Sequence, residues 1–192
     1  MVRCTPVSFL NVFGDVGGRV RIVVDSTNLN IDNACDPDAA GGTHSRYYAG
    51  TVAKYLICMT PGGSIVYVSL PYPGKITDTR LHRETVERMG LVDVGEAEVV
   101  DKGFRIAGRM YSCGVHTLMP VMQSCDVVGF TGQQINQSRQ IAKERAHIER
   151  AVRRMKSFKI LNGSSFRLDR LDILPLILGL VCLFRWVPDH VH

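Results

Sequence analysis

Three carboxylates, Asp25, Asp101 and Glu149, sit where side chains remote in sequence can be gathered at one point. Asp25 ends the apolar run Val20-Arg21-Ile22-Val23-Val24. Asp101 ends Glu98-Val99-Val100 and opens Asp101-Lys102-Gly103-Phe104. Glu149 lies inside the basic stretch from Arg145 to Lys156. Two aspartates at strand ends make a rigid base, and a helical glutamate completes it with a longer reach. Hard carboxylate oxygens suit Mg²⁺ or Mn²⁺. Two such ions about 3.5–4 Å apart activate a water and stabilise a leaving oxygen, which is what phosphodiester hydrolysis requires. In that scheme Asp25 bridges the ions, while Asp101 and Glu149 hold one each.

Each acid also has a plain structural reading. An aspartate after a strand is commonly a turn former or helix cap. Glu149 can pair along its helix with Arg145 or Arg153, each four residues away. Against that, Glu149 follows Ile148 and precedes Val152, so it borders an apolar stripe. Asp78 is a fourth candidate, just before a helical segment, with an N-cap as its competing role.

The chain has 192 residues, 45% hydrophobic and 21% charged, enough for one domain with a real core. Its net charge of +5 is concentrated. Arg139 to Lys159 carries eight basic and two acidic residues, a local +6, so the remainder of the chain sums to −1. A solvated helix face normally mixes both signs. This excess favours phosphate contact, with Arg150, Arg153, Arg154 and Lys156 as the DNA-binding candidates. Few aromatics lie nearby, so base stacking is not indicated.

The elements that must position these residues follow from periodicity. Val20–Val24, Tyr55–Met59 and Ser64–Leu70 read as an antiparallel meander, with a polar loop from Asn28 to Ser45 and a Thr60-Pro61-Gly62-Gly63 turn. Pro71 to Gly74 breaks the pattern. Thr77 or Asp78 then caps a helix to about Met89, with Leu81, Val86 and Met89 as its buried stripe. Ala97–Val100 is a fourth strand and Val115–Met119 a fifth, with Gly103 and Gly108 marking turns between them. Thr131-x-x-Gln134 is a capping box for a long helix that buries Ile141, Ile148, Val152 and Met155, with Ala142 alongside, and ends near Phe158 to Gly163. This order of strands and helices is that of an α/β, ribonuclease H-like mixed sheet flanked by helices. In it the first and fourth strands are neighbours, which brings Asp25 and Asp101 together.

Several segments resemble the DDE-superfamily endonuclease domain of Harbinger-type (PIF/Harbinger) transposases and of nucleases derived from them. They are Val24-Asp25-Ser26-Thr27, Thr60 to Ile65, Tyr72 to Asp78, Val100-Asp101-Lys102-Gly103-Phe104 and Arg145 to Lys156. The Asp-Lys-Gly-Phe and Ile-Glu-Arg blocks are the most specific, and the likeness spans about residues 20 to 162. It implies a divalent-metal-dependent nuclease acting on DNA in the nucleus. Carried over by position, the catalytic acids are Asp25, Asp101 and Glu149, and Asp78 joins them as a further metal-site position. Members of this family usually carry more chain ahead of the first aspartate than the roughly two dozen residues here. A separate DNA-binding partner protein is therefore an expected source of target choice. A catalytically silent relative that only binds DNA or a partner is the alternative.

The expected organisation is a lead-in over residues 1–19, a catalytic core over 20–162, and an apolar helix (Leu168 to Trp186) packed on the core within residues 163–192. Leu171 to Phe184 is interrupted by Asp172, Pro175 and Gly179 and falls short of the roughly 20 apolar residues a membrane span requires. None of the six cysteines forms a C-x-x-C pair, which fits a reduced intracellular setting without disulfides. Cys113-x-x-His116 is at most half a zinc site.

Overall fold

β-Branched residues stiffen the backbone in extended form, and their clustering sets the strands here. In the computed structural model, which describes residues 13–31, 44–45, 50–120 and 131–158 with isolated positions 161, 173, 176 and 179, they build one mixed sheet. The strands are β1 (Val20–Asn30), β2 (His44–Ser45), β3 (Gly50–Met59), β4 (Ile65–Val68), β5 (Tyr72–Pro73), β6 (Ala97–Val99) and β7 (His116–Leu118). The order is β2-β3-β1-β6-β7, with β4 and β5 also paired to β3. β1 runs antiparallel to β3, with Asp25 opposite Ile57. It runs parallel to β6, with Val23 opposite Val99. The protein is thus α/β, with the ribonuclease H-like mixed sheet expected from the order of its elements.

Helices cover the sheet. Helix α1 (Asp78–His82) passes into a π-helical turn (Arg83–Glu87), α2 spans Ala107–Ser112, and α3 spans Gly132–Lys156. Side chains alternate across a strand, so the sheet has two chemically separate faces. Val23, Tyr55, Ile57, Val99 and their neighbours pack against Ile141, Ile148, Ala151 and Met155 of α3. Val24, Leu56, Cys58 and Val100 pack against Leu81 and Val86, with Phe104 and Met110. Each fully buried Leu, Ile or Phe contributes about 1.5–3 kcal/mol.

Several boundaries differ from the sequence-based expectation. β1 does not stop at Val24 but runs six residues further, to Asn30. Its polar half is held by the ladder to β3, where Asn30 pairs with Val52. Asp25 is therefore mid-strand. Tyr72–Pro73, expected only to break the pattern, adds a short strand to β3. Met89 is 59% exposed and does not join the buried stripe. The π-helical turn shifts the helix phase, so Leu81 and Val86 are buried at a spacing of five and His82 and Thr85 fill the rest of that face. The helical segment ends in a Schellman motif. The Gly90 N–H reaches Glu87 O, the Leu91 N–H reaches Val86 O, and Gly90 takes φ +61°. Val152 is only half-buried and Ala142 is exposed, while Ala151 takes the buried position. Helix α3 ends at Lys156, just before the expected Phe158 to Gly163. Residues 13–17 form a helical turn within the expected lead-in. Residues 1–12, most of the Asn28 to Ser45 loop, and the C-terminal helix expected over Leu168 to Trp186 lie outside the described residues, apart from the isolated positions. Among the described residues, no helix is long and apolar enough to cross a membrane.

Candidate active site

Helix α3 carries the third acid, and its start is fixed locally. The Thr131 hydroxyl accepts from the Gln134 N–H, and the Gln134 side chain accepts from the Thr131 N–H. Ile141, Ile148 and Met155 then recur at helical spacing and anchor α3 on the sheet. Glu149 follows buried Ile148, so it stands at the edge of the contact, about half exposed.

The odd-numbered side of β1 faces α3. Val23 and Asp25 share it, as Val99 and Asp101 do on the neighbouring track. Continuing the Val23–Val99 register by one pleat sets Asp25 beside Asp101. Each aspartate is steadied by the backbone that follows it. The Ser26 N–H donates to Asp25 Oδ1 at 2.8 Å, and the Lys102 N–H donates to Asp101 Oδ1 at 2.7 Å.

Asp101 and Glu149 share one guanidinium, whose charge also acts on Asp25. Arg145 Nη1 lies 3.2 Å from Asp101 Oδ1, and Arg145 Nη2 lies 3.4 Å from Glu149 Oε1. Burial pushes the Asp25 carboxyl up to about 6. The Ser26 hydrogen bond and Arg145 oppose that rise, and the charges of Asp101 and Glu149 add to it. Lys156 approaches from the end of α3. Burial pulls its ammonium down from the usual lysine range, and the Asp25 carboxylate pulls it back up. Of the basic residues expected to touch phosphate, Arg150, Arg153 and Arg154 are exposed, while Lys156 is half-buried and senses Asp25. Arg150 also contacts His147 Nδ1 at 3.0 Å.

Asp78 is not brought into this group. It lies on the even-numbered face, where Ser26 Oγ donates to its Oδ1 at 2.6 Å and Lys54 Nζ stands 2.8 Å from the same oxygen. A Cβ added at Gly103 would stand 3.2 Å from Asp78 Oδ2, so the turn after Asp101 packs closely on this carboxylate. Thr77, not Asp78, is the N-cap of α1. Asp78 thus ties β1 to the Asp101 turn from beneath the sheet.

Sequence reasoning missed the bridging position of Arg145, although its spacing to Glu149 signalled a helical ion pair. It also missed a buried assembly on the even face. Glu98, fully buried, lies 2.8 Å from His82 Nε2 and accepts from Thr117 Oγ1 at 3.1 Å. His82 Nδ1 is 3.5 Å from Glu87 Oε1, and neither atom has a hydrogen-bond partner. A lone glutamate in an apolar strand was the available signal, since a buried acid demands a partner. A cavity of about 580 Å³ opens instead at the β7 edge, near Phe13, Tyr111, His116 and Gln137, and holds none of the acids.

The donor chemistry fits a divalent cation. The donor set is three hard-oxygen carboxylates, and the Asp25 carboxyl is raised mainly by burial, with the charges of Asp101 and Glu149 adding to it. Among the described residues, however, no three His, Cys, Asp or Glu side chains stand close enough to share an ion, and the Arg145 guanidinium lies between two of the acids.

A mixed ribonuclease H-like sheet carries Asp25 and Asp101 at the parallel β1–β6 junction of an α/β protein. The family described as DDE superfamily endonuclease matches residues 24–184. The chain belongs to that family. No curated protein and no solved structure matches the chain.

Proposed function

We propose that this protein is a divalent-metal-dependent endonuclease core of the Harbinger type, hydrolysing DNA phosphodiester bonds. The observation that carries the reading is that Asp101 and Glu149 share the Arg145 guanidinium while the charges of all three act on Asp25 in the adjoining strand. Asp25, Asp101 and Glu149 would hold Mg²⁺ or Mn²⁺. Bound there, such ions would supply an activated water and charge stabilisation at the leaving oxygen.

The protein's own contribution is orientation. The backbone N–H groups of Ser26 and Lys102 fix the two aspartates, and Ile148 seats the helix that presents Glu149. Asp78 acts through Ser26 and the Gly103 turn as a positioning residue. Arg153 and Arg154, exposed on α3 beside Glu149, guide the phosphate backbone. Lys156, held near Asp25, is placed to meet a phosphate close to the acids. The setting of the Harbinger reading is nuclear DNA, with a DNA-binding partner protein supplying target choice.

The test uses supercoiled plasmid and Mn²⁺ with the wild-type protein and Asp101→Asn. Nicking by the wild type alone is expected. Equal nicking by both, or none by either, sinks the catalytic reading and leaves a silent DNA- or partner-binding protein. Reversing Arg153 and Arg154 to Glu is expected to weaken DNA binding and to lower the salt slope by about two. An unchanged slope means this helix faces something other than DNA.

A further inference from the structure

Arg145 occupies an unusual position for a helical arginine. Its two amino groups face different carboxylates, Asp101 at 3.2 Å and Glu149 at 3.4 Å, and its charge also acts on Asp25. The side chain is only 21% exposed. These separations exceed the roughly 2.7–2.9 Å of charge-assisted hydrogen bonds, and a fork on a single carboxylate is absent. Its Nε is buried with no hydrogen-bond partner. Leaving a buried donor unmade is unfavourable. Arg109 provides the contrast. Its Nε donates to Glu87 at 2.8 Å in an exposed setting. Arg145 therefore neutralises its surroundings without being locked into a socket made for it.

We infer that Arg145 is a resident counter-ion, holding the three acids together in the metal-free protein and competing with the divalent cation for their oxygens. This rests on the reading that these acids take a metal. Three carboxylates without any cation would repel one another, and Lys156 alone reaches only Asp25. A guanidinium spanning two of them relieves that repulsion. A dication does so more fully, because it carries twice the charge. Metal entry then requires the guanidinium to leave the space between Asp101 and Glu149. A flexible side chain on the helix surface, held by two long contacts and missing a third, is suited to leaving.

The test is Mn²⁺ binding by calorimetry, without DNA, for the wild type, Arg145→Gln, Arg145→Lys and Glu149→Gln, paired with thermal denaturation with and without Mn²⁺. Arg145→Gln is expected to bind Mn²⁺ roughly tenfold more tightly than the wild type (about 1.4 kcal/mol). It melts lower when metal-free and regains the difference when Mn²⁺ is added. Arg145→Lys, which keeps a charge, falls between the two. Glu149→Gln loses affinity. Equal or weaker Mn²⁺ binding by Arg145→Gln, with Glu149→Gln still impaired, overturns the counter-ion role and leaves the metal reading standing. A stability loss in Arg145→Gln that Mn²⁺ does not restore marks Arg145 as structural and overturns it as well. If Arg145→Gln does not fold, Arg145→Lys decides alone, and an affinity no tighter than that of the wild type overturns the proposal. Mn²⁺ binding absent from every protein, or unaffected by Glu149→Gln, removes the metal reading itself and the counter-ion role with it.

Discussion

The two faces of this sheet gather acids in opposite ways. On the even face, Glu98 is sealed between His82 and Thr117, and Glu87 meets Arg109 at 2.8 Å. Cys58 lies on the same face, and burial, with Glu98 adding to it, pushes its thiol well above the usual range. Glu98, His82 and Cys58 are fully buried on this face. On the odd face, Asp25, Asp101 and Glu149 share one loosely held guanidinium at the rim of α3, and Asp101 and Glu149 remain reachable from solvent. The difference teaches that clustered carboxylates do not by themselves make a site. What separates the two groups is access: Glu98 is fully buried, whereas Asp101 and Glu149 are reachable from solvent.

The largest expected effect falls on the odd face. Asp101→Asn removes a proposed ligand without changing shape and is expected to lower plasmid nicking on the order of 10³-fold, with the melting temperature nearly unchanged. The mirror experiment is His82→Ala, which leaves Glu98 buried without its imidazole. It is expected to destabilise the protein by about 3–5 kcal/mol in chemical denaturation, while Mn²⁺ affinity of the folded fraction stays the same. If His82→Ala abolishes metal binding in folded protein, the two faces are not separate.

Next in size is the pH dependence of Asp25. Its folded value of about 6 lies above its unfolded value of about 3.8, so the fold favours the protonated acid. That contribution is fully present below about pH 4 and is lost as pH rises through 6. Asp25→Asn is therefore expected to stabilise the metal-free protein at pH 7 by up to about 3 kcal/mol. The gain vanishes near pH 4 in paired melting curves. A constant difference across that range means Asp25 is not the strained group.

The smallest effect is expected from Asp78→Asn. It removes the charge facing Lys54 and should lower stability by about 1 kcal/mol, with Mn²⁺ affinity little changed. A large loss of affinity would place Asp78 among the ligands.

Much of this contrast was legible in the sequence, for identifiable reasons. The runs at Val20–Val24 and Ala97–Val100 are strongly β-branched, and the order of elements made them neighbours. The Thr131–Gln134 capping box marked the start of α3 correctly, because that motif is local. What escaped depends on tertiary partners. Polar Asp25 to Asn28 resembled the end of a strand, yet the ladder to β3 carries β1 through them. The π-helical turn re-phased a stripe read at ordinary helical spacing, exposing Met89. Helix α2, where Gly103 and Gly108 signalled only turns, has no side-chain cap at Ile106 to announce it. The face on which Asp78 lies follows from its contact with Ser26, which no spacing encodes.

The parallel ladder joins Val23 to Val99, and Glu149 arrives later still. A ribosome therefore delivers the three acids one at a time, and a nascent chain still threading its last long helix owns only a pair. Any transcript that stops or splices out before position 149 yields a polypeptide able to build much of the sheet but never the trio.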